Sequence, residues 1–575
     1  MNKKLPIISL FIMSIISIMY WALKPKEELY EAKWNAPDTT LAITIDGDVS
    51  TTFPTTNAYT GTVECTTGTG KVEWNGTKWV LTTSGITKGS TKCNATFRTP
   101  KFADIILANN EVKTPITTPG REVSAHTKDD VESQSESVDT EYQEYYITYG
   151  TGYEANGTKF NLTGAAVTSD TYANSYSSLV GKYLVSSSAD ENSSDTAGTM
   201  KTTTYLDAVY YVVSATKDSY VYKEITSNKN TTEALLASAE DDYGTSYYFR
   251  GAVKNNYVKF ANKCWRIVRI TGDGSVKLVL HNDNTSKAAN PCSSANNSSN
   301  AAFARYSGTT YRSVFNTKSN DNAYVGFMYC SNIGCENHPE ITDRYTCEQH
   351  NYTWKDSASY AEAHANINKS TILKNLETWY TNNLAPYESK LADTIWCNDK
   401  STFTTFINGS TYFGTGDGYG TSQTGYGAYN RINGGKNING DDAASYASPS
   451  LICPNDNNGG KLSKFTVSDT TKGNGNLTYK IGLLTADEIA FSGSVVHTYN
   501  RSTYLKENTG GSFWWSLSPI NFSGGSAGVW FVNSGGLYGY GVKVGGGGLR
   551  PAISLISSTT ISGGTGTSED PYVVN

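Results

Sequence analysis

Charged side chains are scarce in this chain. Asp, Glu, Lys and Arg make up 17% of its 575 residues, and the formal net charge is -6. Lys and Arg are scattered, so no basic stripe exists to neutralise phosphates, and a general nucleic-acid binder is excluded. Chemistry-bearing motifs are missing too. The six histidines (126, 281, 338, 350, 364 and 497) fall in no Gly-x-Ser-x-Gly or comparable frame, and Ser516 and Ser518 have no assigned base. The run Gly545 to Gly548 lacks the Lys-Ser/Thr of a phosphate loop, and Gly272-Asp273-Gly274 reads as a hairpin turn. No catalytic residue is assigned, and a binding protein is preferred to an enzyme.

What is present points to strands. The chain holds 40 Tyr and 53 Gly with long Thr/Ser/Asn runs, and it is too long for one core. The expected fold class is mostly β with a few helices (α+β). At the N-terminus Lys3 and Lys4 precede an apolar run, residues 5–23, of about the length a bilayer core requires. No A-x-A-like site follows it, and Tyr20, Trp21 and Lys24 suit an interfacial belt. Residues 1–38 are read as a signal anchor and juxtamembrane segment, cytoplasmic at Met1 and extracellular beyond Lys24. Nine cysteines in an exported chain should pair and leave one over. Cys65 and Cys93 bracket one β-rich stretch and are the expected pair within it.

The rest of the chain divides by composition. Residues 39–110 read as a small β module, with Asn75-Gly76 as a tight primed turn between two Trp-bearing runs. Residues 111–144 are acidic and poor in apolar groups, a linker. Residues 145–240 form a Tyr/Thr-rich β module, 241–556 the large domain, and 557–575 a C-terminal extension. Inside the large domain, Asn368 or Ser370 can cap a helix whose Ile372, Leu376, Trp379, Tyr380 and Leu384 share a face. Thr485 can cap a short helix, 486–491, in which Glu488 is most simply a capping acid. The polar Gly/Asn/Tyr tract from Ser410 to Asn476 reads as surface loops.

The stretch from Ser512 to Leu555 organises the large domain. Its ends, Phe513-Trp514-Trp515 and Leu549-Arg550-Pro551-Ala552-Ile553, carry core groups, while its middle spaces aromatics and amides with glycine and serine. Tyr and Trp give contact area at low entropic cost, and Ser, Gly and Asn give adaptable hydrogen bonds, the composition of a binding surface. The candidate ligand-binding residues are Asn521, Phe522, Trp530, Asn533, Tyr538 and Tyr540. A glycine-rich meander without a ligand has the same composition.

Two segments carry a resemblance. Leu484-Thr485-Ala486-Asp487-Glu488-Ile489-Ala490-Phe491-Ser492-Gly493 resembles the helix motif of the formylglycine-generating-enzyme branch of the C-type lectin fold. Gly510-Gly511-Ser512-Phe513-Trp514-Trp515 with Gly548-Leu549-Arg550-Pro551-Ala552-Ile553 is similar to its closing strands. The same ends resemble a domain of uncharacterised gut Firmicutes surface proteins with Trp-Trp-Leu-Arg-Ser-Pro and Val-Arg-Pro-Ala patterns, although Leu517 stands where that pattern often has Arg. The small module around Cys65 and Cys93 also resembles their stalk repeats. The resemblance implies a C-type-lectin-like scaffold over 241–556 displaying variable loops for ligand binding, in some relatives diversified by retroelements. The cysteines that serve oxidation in the enzyme branch have no match here.

Metal chemistry has two candidates. Cys330, Cys335, His338, Cys347 and His350 could hold zinc, although thiols outside the cell normally oxidise. Trp396-Cys397-Asn398-Asp399 resembles the Trp-Asn-Asp calcium loop of sugar-binding lectins, and Asp417, Asp441, Asp442 and Asp456 could add oxygen ligands for calcium; the same Asx residues also serve as turn formers. No metal ligand is assigned. The expectation is a membrane-anchored, single-pass bacterial surface protein that binds an extracellular glycan or protein. An exported enzyme acting on cell-wall material and a structural envelope protein are the rivals.

Overall fold

The computed structural model describes residues 41–121 and 234–574, apart from 88–89, 116–117, 307–308, 311, 331–333, 342, 357–358, 413–421, 434–445, 457–461, 497–502 and 534–535. It adds the backbone of short strands at 28–30 and between 142 and 225. The expected anchor, 5–23, and the linker core, 122–141, lie outside the described residues. Among those that are described, no helix is long and apolar enough to cross a membrane.

The chain divides into two units, residues 1–104 and 105–575. In the first, Leu41–Ile45 runs parallel to Cys93–Arg98, which pairs antiparallel with Thr60–Cys65 and places Cys65 opposite Cys93. That register carries the Cys65–Cys93 disulfide. Thr69–Trp74 and Trp79–Ser84 form a second sheet. Alternation along these strands buries Ile43, Val72, Trp79, Leu81, Ala95 and Phe97 as one core. The hairpin at Asn75-Gly76 is present with a longer turn than a two-residue loop. Trp74 pairs with Trp79, only Gly76 adopts positive φ (+99°), and the Asn75 carboxamide oxygen accepts the N–H groups of Thr77 and Lys78.

In the second unit the backbone between 142 and 225 forms an antiparallel sheet centred on Ser219–Ile225, which pairs with Val209–Ala215 and Tyr142–Thr148. The large region is built on two further sheets. One centres on Lys263–Ile270 and Val276–Asn282, both buried along their whole length. Leu235–Asp241 and Gly244–Arg250 flank them on one side, and Ala552–Leu555 pairs with Val276–Asn282. Tyr572–Val574 enters this sheet parallel to Tyr257–Phe260.

The other sheet centres on Trp514–Ser523. Ser526–Val532 pairs with it and Leu537–Gly541 pairs in turn with Ser526–Val532. Thr424–Tyr426 pairs on the other side. Helix Thr371–Asn383 starts at Ser370, whose hydroxyl accepts the Leu373 N–H, and it buries Ile372, Leu373, Leu376, Trp379 and Tyr380. Helix Ala486–Phe491 starts with a capping box. The Thr485 hydroxyl accepts the Glu488 N–H, and the Glu488 carboxylate accepts the Thr485 N–H. Helix Gly427–Asn433 stands within the tract expected as loops. Its spacing of Ala428, Tyr429, Ile432 and Asn433, all buried, is the helical signal that the surrounding Gly/Asn content masked.

Four disulfides hold these parts: Cys65–Cys93, Cys264–Cys292, Cys335–Cys347 and Cys397–Cys453. Buried Cys330 is the cysteine outside them.

Candidate functional site

The hairpin 514–541 has two faces, and the candidate residues divide between them. In register, Asn521 faces Gly528, Gly528 faces Gly541, and Trp530 faces Gly539. Alternation puts Asn521, Gly528 and Trp530 on one face and Phe522, Ala527, Val529 and Phe531 on the other. A register shift between Pro519 and Asn521 lets two successive residues, Ile520 and Asn521, line the first face, as a bulge re-aims neighbouring side chains.

On that face lies a cleft of about 240 Å³. Its floor is glycine: a Cβ at Gly539 would meet Ile520 Cδ1 at 2.4 Å, and one at Gly528 would meet Ile520 Cγ2 at 2.9 Å. Its walls are Trp530 and Asn521 from the sheet and Tyr429 and Asn433 from helix Gly427–Asn433, with Ser523 and Ser526 at the rim. The Tyr429 and Trp530 rings meet edge to face at 6.0 Å. No described residue of the lining carries a charge. Two of them, Trp530 and Asn433, are each only 1% exposed. Trp530 Nε1, a donor, and Asn433 Oδ1, an acceptor, have no hydrogen-bond partner among the described residues, an arrangement that costs about 1–3 kcal/mol for each group left unpaired.

The helix that supplies Tyr429 and Asn433 is pinned electrostatically. Arg431 grips Asp487 through two hydrogen bonds of 2.8 and 2.9 Å and meets Asp399 at 2.8 Å. One residue on, Glu488 takes Lys277 at 2.6 Å and Arg269 at 3.0 Å, and Arg269 also contacts Asp241. Burial works against the Glu488 charge, but Lys277 and Arg269 outweigh it and hold its pKa down to about 2. The cavity beside this network is about 20 Å³, room for a single water. Glu488 is therefore a cap and a counter-ion in a packed network, with no space for a substrate at its carboxylate.

The remaining candidates lie elsewhere. Phe522 is 1% exposed, on the far face and outside the cleft. Tyr538 and Tyr540 join Phe513 and Phe531 in an aromatic cluster on that far face, with Phe531–Tyr540 and Phe531–Tyr538 centroids at 5.5 and 5.8 Å. Of these Tyr540 is the most exposed, at 49%. Asn533 sits in the turn at the opposite end of the hairpin from the cleft, its N–H donating to Gly536 O. Tyr429, Asn433, Ser523 and the floor glycines also line the cleft and were not among the candidates from the sequence.

Several of the metal candidates have other partners. Cys335 and Cys347 form a disulfide. Asn398 Oδ1 accepts the Phe327 N–H, and Asp399 is taken by Ser401 and Arg431. Asp417, Asp441 and Asp442 lie outside the described residues. Among the described residues no group of three or more His, Cys, Asp or Glu is placed to hold a metal. Ser516 and Ser518 are buried, and Ser516 donates to Trp530 O while Ser518 Oγ accepts the Ala486 N–H. Both hydroxyls serve the fold. Compared with family models, curated proteins and solved structures, the chain matches none.

Proposed function

We propose that this chain is a membrane-anchored bacterial surface protein that binds an extracellular glycan or protein through its C-terminal, C-type-lectin-like region. The observation that carries the reading is the uncharged, aromatic-walled cleft between helix Gly427–Asn433 and the 514–541 hairpin. Trp530 Nε1 and Asn433 Oδ1, buried behind the cleft wall and without a partner among the described residues, would pair with a group that both donates and accepts, as a hydroxyl does, once a turn of either side chain exposes them. The cleft is smaller than the roughly 300–1,000 Å³ of a drug-sized site, so it takes one ring or side chain while the rest of the ligand lies on the rim. A sugar ring, or a hydroxyl-bearing side chain of a protein, fits that description. The four disulfides support an oxidising exterior, and the apolar run 5–23 supports an anchor.

The test is binding of the detergent-solubilised full chain to glycan and surface-protein arrays, beside Ser526→Trp. Ser526 is an exposed rim residue, so the indole occludes the cleft without disturbing the core. The reading requires a ligand that the wild type binds and the variant loses at least tenfold. A silent array, or a variant binding as the wild type does, rejects it.

A further inference from the structure

Among the described residues of the second unit, three lysines are almost wholly buried: Lys263 (7% exposed), Lys277 (2%) and Lys400 (0%). A buried ammonium costs several kcal/mol unless a counter-charge compensates it. Lys263 meets Asp283 at 2.5 Å and Lys277 meets Glu488 at 2.6 Å. Lys400 has no such carboxylate at ion-pair distance among the described residues. Its Nζ contacts the side-chain carbonyl oxygen of Asn366 at 2.6 Å and faces the Phe465 ring, 5.3 Å from the centroid.

Both partners are fixed. Asn366 is 4% exposed, and its Nδ2 donates to Leu462 O at 2.9 Å, so the oxygen end of the carboxamide is the one turned to the lysine. The Lys400 backbone is held at both polar groups: its N–H donates to Ser463 Oγ at 3.0 Å, and its carbonyl accepts from the Tyr360 hydroxyl at 2.6 Å. The same Ser463 hydroxyl donates to Asp456, a carboxyl only 3% exposed. An amine and a carboxamide thus meet in one buried site beside the Phe465 ring, and the Asp456 carboxyl is tied to the Lys400 backbone through Ser463.

We propose that Lys400 and Asn366 are a self-modification site, joined in the mature protein by an isopeptide bond from Nζ to Cγ, with Asp456 carrying the proton. The neutral Nζ attacks Cγ, the Nζ–Cγ bond forms and the Cγ–Nδ2 bond breaks. One proton passes from Nζ to Nδ2 by way of the Asp456 carboxyl, and the nitrogen leaves as ammonia. Amine and primary amide become secondary amide and ammonia, so neither oxidant nor cofactor is needed. Contact in a fixed geometry supplies the proximity that such a step needs, and desolvation makes a lysine nucleophilic. Burial brings Lys400 down to about 8 against the opposing charge of Asp456, and burial raises Asp456 against the opposing charge of Lys400. Both groups move towards the uncharged forms the step uses. The product ties the two ends of the segment carrying helix Thr371–Asn383 by a bond that reductants do not open, which restricts the unfolded chain as any cross-link does.

The test is the intact mass of the full chain with a tryptic map. The expected mass falls below the sequence value, corrected for four disulfides, by one ammonia. The map shows a branched peptide joining residues 356–369 to the peptide that begins at 391, with no cleavage after Lys400. Lys400→Met and Asn366→Ala each restore the ammonia, and Asp456→Asn slows or abolishes its loss. An intact mass at the full sequence value with Lys400 cleaved overturns the proposal, and that reading needs no variant to fold. Ammonia lost from another site overturns it equally. A bond that forms in Asp456→Asn as fast as in the wild type overturns the role given to Asp456.

Discussion

Two glycines show how differently the same missing side chain is used at the level of single residues. At Gly539 an added Cβ meets the far end of Ile520 at 2.4 Å, an atom that can turn aside into the cleft. At Gly547 it meets Trp515 Nε1 at 2.2 Å, in a ring that is 0% exposed and held by donation to Ser313 O at 2.8 Å. Overpacking a core costs about 1–3 kcal/mol and occasionally more. Gly539→Ala is therefore expected near 1 kcal/mol in urea unfolding, with ligand affinity falling because Ile520 takes cleft volume. Gly547→Ala is expected at about 3 kcal/mol or above. Equal costs for the two would show that the ring and the aliphatic end yield alike, which removes the steric account of the cleft floor.

Among the elements, helix Ala486–Phe491 does more than its length suggests, because Asp487 and Glu488 each carry one side of a buried charge network. Removing one partner of a buried pair leaves the other uncompensated, at about 3–5 kcal/mol. Glu488→Gln is expected to lose stability in that range. The pH dependence has a definite sign. The folded pKa of about 2 lies below the ordinary 4.5, so the stabilisation is complete above about pH 4.5 and is lost as pH falls towards 2. Denaturant unfolding between pH 2 and 7 should show that acid limb in the wild type and a flatter one in Glu488→Gln; identical limbs would remove Glu488 from the acid response. The cap itself was legible, because Thr485 and Glu488 stand three residues apart before an apolar run. The ion pairs were not, since Arg269 and Lys277 reach Glu488 from strands over 200 residues away, and no local pattern encodes that meeting. The binding stretch divided in the same way. Its aromatic and glycine composition singled out this hairpin, and Asn521 and Trp530 share a cleft on one of its faces. The register shift after Pro519 and the helix at Gly427–Asn433 decided which side chains share it, and both depend on pairings made in space.

In the C-terminal unit taken whole, Tyr572–Val574 joins the sheet that begins over 300 residues earlier with Leu235–Asp241. Tyr572 is 0% exposed and pairs with Val258 in the parallel Tyr257–Phe260 register. Its hydroxyl accepts from Asn109 Nδ2 at 3.1 Å, and Gly566 O accepts the Tyr257 N–H at 2.8 Å. The glycine-rich segment before it passes where side chains cannot: a Cβ at Gly566 would lie 2.4 Å from both Asn255 O and the Tyr572 ring. The two ends of the unit are thus joined through one aromatic side chain. Truncating a buried aromatic residue to alanine costs about 3–5 kcal/mol, so Tyr572→Ala is expected to lose that much stability in urea unfolding. Deleting 571–575 should cost at least as much, because the ladder hydrogen bonds of Tyr257–Phe260 go with it. Tyr572→Phe keeps the ring and gives up the bond from Asn109, worth about 0.5–1.5 kcal/mol. The order deletion, then alanine, then phenylalanine is the signature of a strand that completes the sheet. A deletion that unfolds at the wild-type urea midpoint would return residues 557–575 to the status of an appended tail.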